Sequence, residues 1–440
     1  MTYGEAIDWL LSFADFERSG RFQDRPDVAP MLALLERLGN PHLGRKTVHI
    51  AGSKGKGSVT TMLGYVLDAE GVTTGLYSSP HLYQYTERIK MDGVDIDEDR
   101  IAIMVEDYLR PAVESLSASL SNRRLVTFDL LTALAFLEFR RWGVEVQVIE
   151  VGLGGRVDST NVFERKEVAV ITPISLEHTA ILGNTVEAIA REKAGIITSS
   201  CAVILSPQSH PEVGRVVSNR ATDLGSRVVT VAEEYRWRKL SHDLSGQRIR
   251  IEGERGVVET DLPLLGSHQI ENAATAAAAA YALDEDLDPS TVSTGLGDMV
   301  WPCRIEVARE DPLVIVDGAH NRDSARRLAE TLVEYFACER AVFVIGCGSD
   351  KDIDGLAEEL APLATRVIAV RADHPRAMNP QRVAEAFGRL NVECEIVDNV
   401  PNGVDRALAA TSDGRFTLIC VAGSLFVAAE ARAHLLGVRT

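Results

Sequence analysis

KTVHIAGSKGKGSV, residues Lys46 to Val59, carries the reading of the fold. Lys46 to Ala51 is a short run of β-formers that stops at Gly52. From Gly57 to Glu70 the spacing is helical, and Gly71 is a natural C-cap. Strand, glycine loop and helix in that order open an α/β unit. Gly52, Gly55 and Gly57 allow a tight turn and a close approach to an anion without Cβ clashes. The following helix turns its unpaired N–H groups and the positive end of its dipole toward that anion. In this loop Lys56 can reach outer phosphate oxygens and the Ser58 hydroxyl can sit near Mg²⁺, with Ser53 and Lys54 completing the turn. The standard pattern GxxxxGK[ST] is not met, because its first glycine would fall at Ile50 and Gly57 stands where Ser or Thr is expected. The strand-loop-helix context favours nucleotide binding over a merely flexible Gly/Lys loop.

Outward from this loop the same rhythm continues. Val144–Val151, Glu167–Ile171 and Ala202–Leu205 are apolar runs of strand length, separated by helical stretches at Phe128–Trp142 and Thr185–Ile197. Apolar strands alternating with helices predict a parallel sheet covered on both faces. Upstream, Ala6–Leu38 reads as mostly helical. Arg227–Val231, Gln247–Glu252 and Gly256–Leu262 read as antiparallel hairpins, followed by a helix over Ile270–Leu283. Gly295–Pro302 is the preferred boundary, giving domains 1–297 and 298–440. Beyond it the strands Pro312–Val316, Ala341–Ile345, Arg366–Val370 and Phe416–Val421 alternate with helices at Ser324–Phe336, Leu356–Leu363 and Pro380–Phe387. The expected fold class is α/β: an N-terminal mononucleotide-binding parallel sheet with a small antiparallel addition, and a smaller, Rossmann-like open α/β domain.

Composition narrows the function. The chain has 440 residues, 45% hydrophobic and 25% charged, which excludes wholesale disorder, collagen and a coiled-coil rod. No apolar run approaches the roughly 20 residues of a spanning helix, and the start MTYGEAIDWLLSF lacks a basic n-region, so no secretory signal is expected. A formal net charge of −18 disfavours nonspecific binding to nucleic acid or anionic membrane. An anionic substrate would have to be met by cations and N–H groups gathered locally against that field. Six scattered cysteines without a CxxC pair argue against zinc or a disulfide framework; they suit a reducing cytosol and read as small buried hydrophobes.

The loop HIAGSKGKGSV resembles the phosphate loop of the Mur ligase superfamily, and within it the branch of folylpolyglutamate synthase and dihydrofolate synthase. The resemblance recurs in order along nearly the whole chain. GLYSSPHL (Gly75–Leu82), ERI (Glu87–Ile89) and IEVGLGGRVDSTNV (Ile149–Val162) come first. LEHTAILGNT (Leu176–Thr185), EKAGI (Glu192–Ile196) and GSHQIENAATA (Gly266–Ala276) follow. WPCRIE (Trp301–Glu306), DGAHN (Asp317–Asn321), SDKD (Ser349–Asp352) and GSLF (Gly423–Phe426) complete the series.

The resemblance implies ATP-driven amide formation through an acyl phosphate, with one or two Mg²⁺ ions. Ser79, Glu150 and His178 become metal ligands; alone, His178 would read as an ordinary surface or core histidine and Ser79 as a turn residue before Pro80. Lys193, otherwise a solvated helix lysine, becomes a catalytic residue and a candidate for carbamylation, which needs a neutral amine. Lys56, Arg304 and His320 are the other catalytic candidates. Arg304 and Asp317 contribute to ATP from the second domain, against the alternative of Asp317 as a helix N-cap. Asn272 is adenine-contacting, against the alternative of an ordinary polar residue in a first helical turn. Arg88, Asp158 and Ser424 are assigned to the amino-acid and closed-domain site. Three residues depart from the branch pattern: Lys54 for Asn, Glu177 for Asp, and Arg322 for Pro after DGAHN.

The expected activity is ATP-dependent joining of L-glutamate to a folate or dihydropteroate carboxylate. The partners are small molecules, without nucleic acid or membrane, in a cytoplasmic monomer. A sister ligase with another acceptor, or a nucleotide-binding regulatory module without turnover, are the competing readings; intact counterparts for the metal, ATP and second-domain residues argue against the latter.

Overall fold

The computed structural model describes residues 1–15, 18, 27–116, 124–411 and 418–438. Its first sheet contains β1 (Lys46–Ala51), β2 (Thr74–Tyr77), β3 (Ile89–Met91), β4 (Val94–Asp95), β5 (Val146–Glu150), β6 (Val168–Ile171), β7 (Ala202–Leu205) and β8 (Arg227–Thr230). The order is β4-β3-β2-β5-β1-β6-β7-β8, with β3 and β4 antiparallel at one edge and the remainder parallel. Period two sorts the central side chains. Val48 and Ile50 face the helices Lys56–Ala69 and Ser267–Leu283, while Ala51 and Ile171 face the opposite side with Ile189 and Val213. Covering both faces explains why β6 is apolar throughout and why β1 beyond Lys46 and all of β5 are buried.

The alanine run Ala273–Ala280 is buried in the helix Ser267–Leu283, where small side chains let it lie close to both the sheet and the helix Lys56–Ala69. The helix Pro289–Gly297 comes closer still, since a Cβ on Gly295 would stand 2.4 Å from Val66 Cα.

A second, three-stranded antiparallel sheet contains β9 (Arg236–His242), β10 (Gln247–Gly253) and β11 (Gly256–Leu262). The third sheet contains β12 (Glu306–Glu310), β13 (Leu313–Val316), β14 (Ala341–Ile345), β15 (Ala364–Ala369), β16 (Glu393–Ile396) and β17 (Leu418–Ala422). Its order is β12-β13-β17-β14-β15-β16, parallel except for the edge strand β12. The third sheet's lobe touches the three-stranded sheet through the helix Arg322–Phe336. Tyr335 Oη donates to Gln247 Oε1 at 2.7 Å, and Lys239 Nζ reaches Glu334 at 2.6 Å.

One expectation is corrected. Arg227–Val231 is no hairpin arm: β8 pairs parallel with β7, Ala202 opposite Arg227, after the crossover helix Pro211–Asp223. The hairpin partner of β10 is instead β9, whose sequence RWRKLSH is too polar and too exposed to stand out as a strand. The helical reading of Ala6–Leu38 resolves into Tyr3–Leu11 and Ala29–Arg37; residues 16–17 and 19–26 lie outside the described residues, as do Phe416 and Thr417 of the expected last strand. The antiparallel edges β3, β4 and β12 and the strand β16 went unread, being short or polar. Five of the six cysteines are buried and Cys394 is half-buried. No helix among the described residues is long and apolar enough to cross a membrane.

Gly295→Ala tests the close helix approach. The propensity gain of Ala over Gly is about 1 kcal/mol, but the clashing atoms are backbone and cannot give way, so overpacking of about 1–3 kcal/mol prevails. The urea midpoint is expected to fall with little change of slope; an unchanged or higher midpoint would show that the helices have room to separate.

Candidate active site

Parallel β1 and β5 place their C-terminal ends side by side, Ile50 opposite Glu150, and the glycine loop leaves β1 at that edge. Ligands of open α/β sheets sit at this carboxyl edge. The loop has little space of its own. A Cβ on Gly52 would fall 1.7 Å from Thr172 Oγ1, one on Gly55 2.5 Å from Asn272 Oδ1, and one on Gly57 2.9 Å from the Trp301 ring. Gly55 also has φ +79°, in the left-handed region, and caps the helix Lys56–Ala69. Ser53 and Lys54 spend their N–H groups on the Pro173 carbonyl, at 2.9 and 3.1 Å, which fastens the loop to the end of β6. Lys56, Gly57 and Ser58 occupy the first turn of the helix, where N–H groups have no acceptor within the helix itself.

Charge is concentrated around this turn. Lys56 Nζ lies 4.0 Å from Glu150 Oε1, and Glu150 Oε2 accepts from Ser79 N at 3.3 Å. Lys193, 2% exposed, donates to the Gly52 carbonyl at 2.7 Å and to Glu177 Oε1 at 2.9 Å. Burial pushes the Lys193 ammonium down, with Glu177 opposing. For Glu177 burial acts upward, but the field of Lys193, Lys56 and Lys54 wins and holds its carboxyl well below the usual range. Lys54 is pushed down to about 8, mostly by burial. His178 follows Glu177 on an exposed turn with φ +47°.

Across the cleft, Asp317 follows β13 and its carboxylate accepts from Ile305 N at 2.9 Å and Ala319 N at 2.7 Å. It shapes the turn but does not cap the helix Arg322–Phe336; that cap is Asn321, which accepts from Ser324 N. Arg304 lies 5.7 Å from the Trp301 ring centroid and donates to the Cys303 carbonyl at 3.0 Å. His320 Nδ1 is 2.9 Å from the Gly318 carbonyl, which can only accept, so the proton is on Nδ1 and Nε2 is left as an acceptor. Burial, with Lys54 and Lys351 adding to it, pushes this imidazole down to about 3, so it is neutral. The Trp301 ring, 2.9 Å from where a Cβ on Gly57 would stand, brings the start of the second lobe against the phosphate turn.

The structure thus gathers Gly52 to Ser58, Glu150, Ser79, Lys193 and Asn272 at one edge, with Asp317, His320 and Arg304 facing them. Asn272 lies in the second turn of its helix and is held by Gln269 Oε1 at 2.9 Å, beside Gly55. Three assigned residues serve the scaffold here. Asp158 accepts from Leu153 N and Thr160 N inside the 152–160 loop. Ser424 caps the helix Leu425–Leu436. Arg88 is buried and donates to His81 Nδ1 at 2.9 Å. The sequence reading missed the Lys193–Glu177 pair, the Pro173 carbonyl and the Trp301 ring on the loop. Only Trp301, beside Arg304 in WPCRIE, left a local trace.

Among the described residues no three His, Cys, Asp or Glu side chains converge as a metal cage. A single buried carboxylate beside a hydroxyl residue still suits Mg²⁺, which keeps several waters and takes further ligands from substrate phosphates. Glu150 and Ser79 therefore fit such an ion.

Profiles described as Mur ligase middle domain and Mur ligase, glutamate ligase domain match residues 50–280 and 303–425. The chain is 33% identical to the folylpolyglutamate synthase of Lacticaseibacillus casei over 455 residues, covering 99% of each. It superimposes with TM-score 0.90 on Mycobacterium tuberculosis folylpolyglutamate synthase complexed with ADP and AMPPCP, at 32% identity, covering 98% of this chain and 99% of that one. With Escherichia coli FolC in complex with DHPP and ADP the TM-score is 0.85 at 27% identity, covering 100% and 99%.

Glu177→Gln keeps an acceptor oxygen for Lys193 but removes the opposing charge, leaving a buried ammonium without its counter-ion. The expected cost is about 3 kcal/mol at neutral pH by urea unfolding. Because the folded-state carboxyl is depressed, its contribution is fully present above the ordinary value of 4.5 and is lost as pH falls below it. The variant should therefore lose that acid-side slope; equal slopes would mean the pair contributes nothing.

Proposed function

Since this chain belongs to the Mur ligase family, in its folylpolyglutamate synthase and dihydrofolate synthase branch, we propose that it is an ATP-dependent ligase that joins L-glutamate to a folate-type carboxylate. The observation that carries the reading is the concentration of Lys54, Lys56 and Lys193 around one glycine turn in a chain of net charge −18. That is a seat for a polyphosphate, and the nucleotide complexes of the M. tuberculosis and E. coli relatives support it.

In this reading the triphosphate lies on the helix N-terminus at Lys56 to Ser58, with Lys56 on the outer phosphate. Bound Mg²⁺, held by Glu150 and Ser79 with His178 as the third assigned ligand, supplies charge neutralisation of the phosphates. Asn272 faces the adenine. Arg304, aligned by the Trp301 ring and the Cys303 carbonyl, reaches the phosphates from the second lobe, and Asp317 holds the turn that presents His320. An oxygen of the acceptor carboxylate attacks the γ-phosphorus and ADP leaves. The amine nitrogen of glutamate then attacks the acyl carbon, loses a proton, and expels phosphate. Neutral His320 offers Nε2 as an acceptor near the transfer, and the closed lobes keep water from the acyl phosphate. Arg88 and Ser424 border the amino-acid side of the cleft; Asp158 acts through the loop it braces. Lys193 is the candidate for carbamylation: burial favours the neutral amine that this needs, and the unmodified side chain is bonded to Gly52 and Glu177. The lobes divide at 297/298, where the helix Pro289–Gly297 ends and the chain crosses to β12.

The acceptor is tested by mass spectrometry of products from purified protein with ATP, Mg²⁺, glutamate and either dihydropteroate or a reduced folate. A product heavier by one glutamyl residue is expected with at least one of them, and none with either would reject the reading. Lys56→Ala and Glu150→Ala are expected to abolish glutamate-dependent phosphate release while leaving the circular-dichroism spectrum intact. Near-normal ligation by either variant would reject the assigned site.

A further inference from the structure

The 152–160 loop, between β5 and β6, is fastened by a buried polar chain that none of the steps above uses. Lys166 is 4% exposed and packs 5.5 Å from the Phe163 ring centroid. Its Nζ lies 2.8 Å from His49 Nδ1 and 3.3 Å from Asn161 Oδ1, and among the described residues no carboxylate reaches it as a salt bridge. His49 Nε2 is 2.8 Å from Thr160 Oγ1, and Thr160 Oγ1 in turn bonds to Asp158 Oδ1.

The direction of each bond follows from donor counting. A carboxylate accepts, so Thr160 spends its one hydroxyl hydrogen on Asp158. Thr160 Oγ1 must then receive from His49 Nε2, which puts the imidazole proton there. Burial, with Lys166 adding to it, pushes His49 well down and keeps it neutral, so Nδ1 is bare and accepts from Lys166. Every bond points from Lys166 toward Asp158. Burial pushes the Lys166 ammonium down to about 7, but both its charged and neutral forms donate, so the chain survives either state.

Beyond Asp158 the path reaches the active site. Asp158 Oδ2 accepts from Leu153 N at 2.8 Å. Asn161, held by Lys166, donates to the carbonyls of Arg156 and Gly195 at 3.1 and 3.2 Å. Arg156 N bonds to Glu192 O at 2.8 Å, and a Cβ on Gly155 would stand 3.0 Å from Lys193 O. The loop is therefore seated on the backbone that carries Lys193.

We propose that Lys166, His49 and Thr160 are positioning residues that act as one directed hydrogen-bond chain, holding the 152–160 loop and through it the backbone that carries Lys193. This rests on the ligase reading given above. Thr160→Val and Lys166→Met each cut the chain. Each is expected to lower kcat for ligation about 10-fold, with KM for the acceptor within about two-fold. The double variant should be no slower than the worse single one, because both break the same path. Thr160→Ser keeps the hydroxyl and should recover kcat to within about two-fold of the parent. Lys166→Gln keeps an N–H donor and replaces Lys166→Met if that variant does not fold. Additive losses, or an unchanged kcat in Thr160→Val, would overturn the proposal. A readout independent of turnover is ¹⁵N NMR of the histidine-labelled full chain, with His49 assigned by loss of its signal in His49→Gln. A proton on Nε2 that exchanges slowly with solvent is expected, and a proton on Nδ1 would overturn the chain even in an active enzyme. Failure of the parent protein to form product would sink the ligase reading instead and leave the tautomer result standing.

Discussion

Gly52 has no room for a side chain, and much of the site depends on that. With hydrogen in place of Cβ, the backbone passes against Thr172 at the end of β6 closely enough for Pro173 to take the amides of Ser53 and Lys54. The same approach turns the Gly52 carbonyl toward Lys193. One close contact thus joins two neighbouring strand ends, the phosphate turn and the helix Val186–Lys193. Any side chain there would have to displace β6 from β1 or the loop from both.

Electrostatics then decide what the turn can hold. Over the whole surface the protein repels anions, but within this edge several lysines stand against two carboxylates, Glu150 buried and Glu177 half-buried. The carboxylates are placed behind the cations: Glu150 at a strand end, Glu177 on the far side of Lys193. Glu177 opposes the lowering of Lys54 and Lys193 by burial, and neither carboxylate closes off the helix N-terminus. The depression of Glu177 and the lowering of Lys193 are two sides of one buried pair. The uphill cost of burying either alone makes each dependent on the other.

The second lobe completes the arrangement. Asp317 is buried and its carboxylate is satisfied by the amides of Ile305 and Ala319, which gives the turn a rigid shape. That turn also presents the Gly318 carbonyl that fixes the tautomer of His320. Tyr335 and Gln247, hydrogen-bonded away from the cleft, tie the helix Arg322–Phe336 to the small sheet. Contact far from the chemistry therefore controls how the lobes meet.

Strand, glycine loop and helix at Lys46–Ala69 were legible because their signals are local: apolar period, glycine spacing and a C-capping glycine. The ordered motifs made the family legible for the same reason, and strand-end positions marked Glu150 and Asp317 as lying at the carboxyl edges of their sheets. The pairing of β8 with β7, against the expected hairpin, was not legible, because partner choice depends on a crossover helix and on a polar strand, β9, whose residues carry no strand signature. Nor could sequence reveal that Asp158 and Ser424 spend their polar atoms on loop and helix ends, or that Lys193 lies between Gly52 and Glu177. Residue type and spacing along the chain determined which chemistry was available. Which group meets which was decided only by tertiary structure, because hydrogen bonds and charge pairs form between atoms a few ångströms apart in space, however far apart they lie along the chain.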